Sequence, residues 1–254
     1  MIRVKHLYKS FYGRVVLDNV STTFEPGITN LIIGQSGSGK TVLLKSIVGL
    51  HDIDDGEVWF EDKLFNKLDF KEKKEIRKEM GMLFQGSALF DSLTVEQNVR
   101  FPLDMFTDKS MEEKTDRVNF CLKRVNIINA NKLYPAELSG GMRKRVAIAR
   151  AISLNPKYLF CDEPNSGLDP QTAIRIDMLI KEITEEYEIT TIVVTHDMNS
   201  VMQIGEHVMF MFKGKKLWEG SSKDILNTSV KELQDFIYAN SLVVAVKEMK
   251  DLNL

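Results

Sequence analysis

The stretch Gly34-Gln35-Ser36-Gly37-Ser38-Gly39-Lys40-Thr41 decides how this chain can fold. It directly follows the apolar run Leu31-Ile32-Ile33 and directly precedes the largely apolar segment 42–48. That order predicts a strand, a glycine-rich loop and a helix, which is the context required by the phosphate-binding pattern G-x-x-x-x-G-K-[ST]. The sequence therefore predicts an α/β core in which this loop cradles the phosphates of a nucleotide.

The chemistry of polyphosphate binding explains the residue types in this loop. Glycines let the backbone approach a phosphate closely, and the N–H groups of the loop and the helix start carry partial positive charge. Lys40 is predicted to reach the β- and γ-phosphates, and the Thr41 hydroxyl to bind Mg²⁺. Many such loops carry a second hydroxyl residue where Val42 stands, so one nucleotide contact is expected to be missing. The predicted nucleotide-binding residues here are Gly34, Gln35, Ser36, Gly37, Ser38, Gly39, Lys40, Thr41 and Val42.

The composition limits what the rest of the chain can be. With 254 residues, 43% of them apolar, the chain can bury one sizeable core, and one compact unit with an insertion is the simplest expectation. The formal net charge of −2 argues against a nucleic-acid partner, which requires a basic surface. No window approaches the about 18 apolar residues of a membrane-spanning helix, so we expect a soluble, cytoplasmic chain.

Two adjacent aromatic residues lie upstream of the loop, between the predicted strands Ile2–His6 and Val15–Phe24. Phe11 or Tyr12 could stack on an adenine ring, a contact worth about 1–3 kcal/mol per base. Of the two, we expect Phe11 to make this contact. The alternative is that the aromatic ring packs against the edge of a small sheet.

A glutamine and a helical segment follow the next buried strand. The strand Met80–Phe84 is predicted to place Gln85 at its carboxyl end, where ligands of open α/β sheets bind. The side-chain amide there is suited to contact Mg²⁺ and an attacking water. Residues 87–155 show mainly helical periodicity and are predicted to form a helical insertion in the nucleotide core.

This insertion contains a second glycine-bearing stretch, Leu138-Ser139-Gly140-Gly141, which we call the signature stretch. It opens the predicted helix Arg143–Ile152, with Ser139 as the N-cap. A helix start is a site that favours anions. Capping requires the serine alone, so the paired glycines indicate a further role in anion binding.

Two carboxylates follow a fully apolar strand. Asp162 is predicted to orient the waters of Mg²⁺, and Glu163 to polarise a water for in-line attack on the γ-phosphate. The turn 166–169, which contains Asp169, precedes the predicted helix 171–186. The apolar strand 190–195 ends next to His196, which can donate a hydrogen bond to a γ-phosphate, although a lone histidine at such a place is more often structural.

These motifs, in this order, resemble the ATP-binding subunits of ABC transporters. The resemblance covers residues 1–240 and implies a RecA-like P-loop NTPase core with an antiparallel β subdomain and an inserted helical subdomain. It also implies ATP and Mg²⁺ as ligands, with Thr41, Gln85 and Asp162 at the metal and Glu163, His196 and Gln85 in hydrolysis. The motifs that carry the resemblance are Phe11, the loop 34–41, Gln85, the signature stretch, Asp162-Glu163, the turn 166–169 with Asp169, and His196.

A narrower resemblance rests on residues 84–99, on Phe101-Pro102-Leu103 and on residues 142–145. These resemble the MlaF-type ATPases of MCE-linked lipid transporters; other importers usually carry glutamine where Met142 stands. The resemblance implies phospholipid movement between inner and outer membranes, with the chain peripheral on the inner face of the inner membrane. It further implies an MlaE-like permease docking near residues 86–106 and an MlaD-like MCE-domain subunit.

Three alternatives remain beside the lipid-transport interpretation. The chain could serve an ABC transporter for another substrate, act as a soluble ABC ATPase on ribosomes or DNA, or bind nucleotide without turnover. ABC ATPases that act on ribosomes or DNA usually need two linked ATPase units or a long coiled coil, and also a basic surface. The sequence shows none of these three features. The presence of both Glu163 and His196 argues against a module without turnover.

A phosphate loop on one chain leaves the far side of the γ-phosphate open to water, so a second copy is expected to close it. We expect a head-to-tail homodimer around two ATP molecules, each contacted by Ser139, Gly140 and Gly141 of the other copy. Hydrolysis is expected to separate the halves and move the permease. The apolar tail 241–254 is expected to pack on the partner copy; self-packing or a frayed end is the alternative.

Overall fold

The computed structural model describes residues 1–239, so the tail 241–254 lies outside the described residues. In chain order the strands are β1 (Ile2–Phe11), β2 (Arg14–Phe24), β3 (Thr29–Ile33), β4 (Asp55–Phe60), β5 (Lys63–Leu64), β6 (Met80–Leu83), β7 (Tyr158–Asp162), β8 (Thr190–Thr195), β9 (His207–Phe212) and β10 (Lys215–Gly220). The α-helices are α1 (Lys40–Ile47), α2 (Phe70–Lys78), α3 (Val95–Phe106), α4 (Met111–Arg124), α5 (Gly140–Ala151), α6 (Pro170–Glu186), α7 (Met198–Ile204) and α8 (Lys231–Tyr238).

The described chain divides into two compact units. The first contains residues 1–24, 29–66 and those from 194 onward, and the second contains residues 25–28 and 67–193. Within residues 1–239, none of the helices combines the length and the apolar character needed to cross a membrane.

The first unit contains the four-stranded antiparallel sheet, in the order β2-β1-β4-β5. Its central strand β1 aligns Ile2 with Phe24 of β2 and with Phe60 of β4, and all three side chains are buried. β1 runs to Phe11, beyond the predicted end at His6. Its pairing with β2 shifts register three times after Val4, so the part of the strand beyond the predicted end is irregular.

Three further strands of the first unit lie in the order β10-β9-β3. β3 is parallel to β9, from the pair Asn30 and His207 to the pair Ile33 and Phe210. β9 and β10 pair antiparallel as a hairpin. All five residues of β3 are buried, which matches a parallel strand covered on both faces.

The second unit contains β6, β7 and residues 190–193 of β8, in the order β8-β7-β6, with β6 parallel to β7. Every residue of β7 and of β8 is buried. The helices of this unit begin where side chains cap them: Asp69, Thr94 and Ser110 each form a capping box before α2, α3 and α4. α3 runs to Phe106, with Pro102 inside it.

Candidate functional site

The glycine-rich loop belongs to the first unit and leaves β3 beside β9. Gly34 has φ of 147°, and a Cβ at this position would lie 2.2 Å from the Met211 backbone oxygen. Any larger residue would therefore push the loop away from β9. Gly37 has φ of 78° and open space where a Cβ would stand. The loop thus presents bare backbone where a phosphate has to approach.

The start of α1 fits an anion. Its N-cap is Gly39, which offers no side-chain acceptor, and the first turn carries no acidic residue. Lys40 is buried, and its Nζ donates to the backbone oxygens of Gly34 at 2.7 Å and Gln35 at 3.0 Å. Ser38 Oγ is buried and makes no hydrogen bond to the residues that the structure describes. A ligand rich in acceptor oxygens suits this set of donors.

Phe11 and Tyr12 have different surroundings. The Phe11 ring meets the His51 ring edge-on at a centroid distance of 5.3 Å, and Lys9 Nζ lies 5.1 Å from the Phe11 ring centroid. Tyr12 is fully exposed and has φ of 51°. The contacts with His51 and Lys9 fix the position of the Phe11 ring, which suits the expected stacking on adenine. Phe11 also lies at the end of β1, which suits the alternative that the ring packs against the edge of the sheet.

The two predicted carboxylates belong to the second unit, at the end of β7. Asp162 and Glu163 are both buried, at 4% and 8% exposure. Glu163 has φ of 48°, in the left-handed region that costs a non-glycine residue about 1–3 kcal/mol. Such strain collects at functional sites, where the surrounding structure holds it in place.

Lys144 joins two of the predicted site residues and was not predicted from the sequence. Its Nζ donates to the backbone oxygen of Gln85 and, at 3.3 Å, to that of Glu163. Burial lowers the pKa of Lys144, and the charges of Asp162 and Glu163 oppose this effect. The signal in the sequence was a lysine on a face of α5 that is otherwise apolar, next to Ala147 and Ile148.

The signature stretch begins α5, with Ser139 as the predicted N-cap. Ser139 Oγ accepts a hydrogen bond from the Met142 backbone N–H at 3.2 Å. The helix starts at Gly140, three residues before the predicted start at Arg143, so both glycines lie in its first turn. A Cβ on Gly141 would lie 2.6 Å from Thr172 Cγ2 of α6, so close helix packing also explains the second glycine.

The remaining predicted residues lie at exposed ends of elements. Gln85 of the second unit and His196 of the first unit are both exposed, two residues after β6 and one residue after β8. Asp169 is exposed and caps α6, where its side chain accepts from the Thr172 backbone N–H at 3.0 Å. These hydrogen bonds with Thr172 lower the pKa of Asp169. Capping therefore accounts for Asp169 in this structure, and its contact with nucleotide stays a prediction.

Two further side chains, neither predicted, fix the backbone after Gln85. Arg150 donates to the backbone oxygens of Ala88 at 2.7 Å and Ser87 at 2.9 Å, both of which have positive φ. Asn98 is buried and bonds to both backbone groups of Phe90 and to the oxygens of Leu93 and Thr94. A lone amide among the apolar positions of α3 was the available signal.

The predicted magnesium donors have suitable chemistry. Thr41, Gln85 and Asp162 offer a hydroxyl, an amide oxygen and a carboxylate, which are the hard oxygen donors that Mg²⁺ prefers. Within residues 1–239, no group of three or more His, Cys, Asp or Glu side chains is placed to hold a metal ion. Mg²⁺ that arrives with a nucleotide does not need such a group, because phosphates and waters supply most of its ligands.

Comparison with known proteins decides the family. The model of the family described as ABC transporter matches residues 17–166. The chain belongs to the ABC transporter family. The methionine import ATP-binding protein MetN of Clostridium tetani is 38% identical over 96% of this chain and 76% of its own length. The intermembrane phospholipid transport system ATP-binding protein MlaF of Haemophilus influenzae is 37% identical over 95% of this chain and 91% of its own.

The solved dimeric structure of MJ0796, a bacterial ABC transporter cassette, aligns with this chain at a TM-score of 0.81 and 35% identity. The alignment covers 87% of this chain and 99% of that chain. These similarities confirm the RecA-like P-loop core with a helical subdomain, and they identify an ATP-binding, ATP-hydrolysing subunit of an ABC transporter. Family membership does not decide the transported substrate, because methionine-import and phospholipid-transport relatives match this chain about equally well.

Proposed function

We propose that this ABC ATPase powers phospholipid transport between inner and outer membranes through an MlaE-like permease and an MlaD-like MCE-domain subunit. The observation that carries the proposal is the MlaF-type residue pattern of 84–103 together with Met142. The MlaF relative, matched over 91% of its length, supports it. Methionine import is the second candidate, favoured by the MetN relatives.

The proposed permease dock at residues 86–106 is supported by an apolar groove in the second unit. The groove has a volume of about 420 Å³, and its lining is rich in aromatic and methionine side chains. Phe90, which is 42% exposed, and Phe101 contact each other there with ring centroids 4.7 Å apart. Exposed aromatic rings beside a groove are typical of surfaces that receive a partner's helix. The groove residues in the proposed dock are Ala88, Phe90, Phe101, Pro102 and Phe106.

We propose the following roles in binding. The loop 34–41 of the first unit holds the phosphates, with Lys40 on the β- and γ-phosphates, and Phe11 stacks on the adenine. Thr41, Gln85 and Asp162 would hold Mg²⁺, which would supply neutralisation of phosphate charge. Asp169 contacts the nucleotide.

In hydrolysis, Glu163 polarises the attacking water, Gln85 orients it, and His196 donates a hydrogen bond to the γ-phosphate. The surroundings that bury Glu163 and keep its backbone left-handed also restrict the position of the carboxylate. Ser139, Gly140 and Gly141 of a second copy close each ATP on its far side, because the start of α5 attracts phosphate: Ser139 is exposed, the two glycines are half-buried, and the first turn has no acidic residue. After hydrolysis this attraction is lost, the copies separate, and the dock moves the permease.

The proposed location is the cytoplasmic face of the inner membrane, where the chain is held by its permease. The transported substrate can be tested on the complex purified through a tag on this chain. Lipids that copurify are identified by mass spectrometry, and ATP hydrolysis is measured with added phospholipid or added methionine. We expect copurified phospholipid and stimulation by phospholipid alone. Stimulation by methionine, with no lipid recovered, would establish the second candidate.

A further inference from the structure

Lys144 is a buried cation in the middle of the second unit. Only 4% of its surface is exposed, and it lies in α5 five residues after Ser139. Burying an ammonium group is costly unless hydrogen bonds replace its hydration. The structure supplies such bonds from two backbone oxygens, those of Gln85 and Glu163.

These two oxygens belong to the residues that are proposed to orient and polarise the attacking water. Gln85 follows β6 and Glu163 follows β7, and the two strands are parallel neighbours. One ammonium group therefore ties together the chain at the carboxyl ends of both strands. It also ties both ends to α5, whose first turn holds the signature stretch.

The hydrogen bond from Lys144 to Glu163 restrains a strained stretch of backbone. The φ of 48° at Glu163 is a conformation that persists only where the surroundings enforce it. The Glu163 backbone oxygen accepts from the Ser166 backbone N–H at 3.2 Å as well as from Lys144. Removing the ammonium group releases one restraint on the peptide that carries the water-polarising carboxylate.

We propose that Lys144 is a positioning residue for ATP hydrolysis, which fixes the backbone of Gln85 and Glu163 relative to the signature helix α5. The proposal rests on the roles given above to Gln85 and Glu163, and it is independent of the transported substrate. It has a consequence for the dimer: α5 contacts the partner's ATP through Ser139 and holds its own catalytic backbone through Lys144. Binding of one ATP is thereby coupled to hydrolysis of the other.

The test uses substitutions that separate positioning from stability. Lys144→Met removes the ammonium group at similar side-chain length, and Lys144→Arg keeps a cationic donor. Arg117→Met is the matched control. Arg117 donates to the backbone oxygens of Ser153 at 2.9 Å and Ile152 at 2.7 Å, just beyond the other end of α5. Full chains are compared in steady-state phosphate release over a range of ATP concentrations, in ATP affinity and in Tm.

For Lys144→Met we expect kcat to fall at least about tenfold, with KM for ATP within about twofold of the wild type, because the groups are displaced and the nucleotide contacts remain. The Hill coefficient for ATP should fall towards one. Lys144→Arg should recover most of kcat, and Arg117→Met should lower Tm with kcat unchanged.

A wild-type kcat in Lys144→Met overturns the proposal and leaves the proposed function intact. So does an equal loss of kcat in Arg117→Met at equal loss of Tm, since the effect is then one of stability. If Lys144→Met fails to fold, Lys144→Gln, a neutral donor, is judged by the same two criteria. A wild-type chain that releases no phosphate overturns the roles of Gln85 and Glu163, and this proposal with them.

Discussion

Glu163 directly follows the buried strand β7, its backbone is left-handed, and its backbone oxygen accepts a hydrogen bond from Lys144. A general base contributes about 10²–10⁴-fold to rate. The carboxylate is not among the groups proposed to hold the nucleotide itself. Loss of its charge should therefore separate hydrolysis from binding.

Glu163→Gln is predicted to lower kcat by at least about a hundredfold and to leave ATP affinity within about threefold. The measurements are phosphate release and calorimetric ATP binding. Glu188→Gln is the control, because Glu188 is another glutamate with positive φ, 50°, and is exposed. If Glu163→Gln hydrolyses ATP at the wild-type rate, the catalytic assignment is wrong.

The two aromatic residues of the first unit give a paired prediction. Phe11→Ala should weaken ATP binding by about 1–3 kcal/mol through the lost stacking contact, while Tyr12→Ala should leave it unchanged. Affinities for ATP and for triphosphate alone are compared by calorimetry. Loss of the stacking contact should weaken the binding of ATP and leave the binding of triphosphate unchanged. Unchanged ATP affinity in Phe11→Ala would instead support the interpretation that this ring packs the sheet edge.

Residues with a local sequence pattern were predictable, and residues with distant backbone partners were not. Lys40 and Ser139 follow from loop and cap patterns, and the hydrogen bond at Ser139 confirms its capping role. Lys144 and Asn98 bond to backbone oxygens whose positions depend on the folded chain, and Gln85 is 59 residues from Lys144 in sequence. Residue types do not identify backbone acceptors, so the sequence could mark Lys144 and Asn98 as polar residues among apolar ones but could not identify their partners.

Among the elements, the loop before α3 depends on one side chain. Asn98→Ala should leave the backbone groups of Phe90, Leu93 and Thr94 without their hydrogen bonds to this side chain. The loss should lower the free energy of unfolding by about 2–4 kcal/mol. Because Phe90 lines the proposed dock, the variant should also recover less permease in a tagged purification.

The control for this variant is Asn119→Ala, which removes an exposed amide that accepts from Asn131 at 3.0 Å. It should keep both stability and permease recovery. Full permease recovery by folded Asn98→Ala would place the dock elsewhere.

The hairpin of β9 and β10 carries a pH-dependent contact in the first unit. Burial alone would raise the pKa of Glu219, but hydrogen bonds from His207, Lys216 and Thr22 outweigh it and lower the pKa to about 2. A carboxyl with a lowered folded pKa stabilises the fold above its ordinary value of 4.5, and this contribution is lost as pH falls from there to about 2.

When the pH is lowered from about 7 to about 3, the Tm of the wild type should therefore fall by more than the Tm of Glu219→Gln, which has no carboxyl at this position to protonate. Thermal unfolding followed by circular dichroism measures this difference. Glu185→Gln, at an exposed residue paired with Lys181 at 3.7 Å, should behave like the wild type. Equal losses in wild type and Glu219→Gln would show that this contact does not stabilise the hairpin.

Element types were predictable from periodicity, and their ends were less so. The buried runs that became β3, β7 and β8 are continuous and apolar, which is a strong signal. α7 was not predicted, because its 7 residues, Met198–Ile204, are too few for a helical period to show. The start of α5 was misplaced because glycines oppose helix formation in isolation, and the Ser139 cap together with packing on α6 overrides this.

For the whole molecule, the order of the motifs predicted the family, and the family model and the relatives confirm it. The transported substrate was not predictable to the same degree. This chain resembles to a similar degree ATP-binding proteins named for methionine import and for intermembrane phospholipid transport, so the similarity does not distinguish the two substrates.

The central claim at this scale is that bound ATP joins two copies of this chain. The most direct measurement is the molar mass of Glu163→Gln by light scattering, with and without Mg-ATP, with bound nucleotide counted in the same sample. We predict the mass of one chain without nucleotide, and the mass of two chains holding two ATP molecules when Mg-ATP is present. A single-chain mass with ATP fully bound would contradict the account.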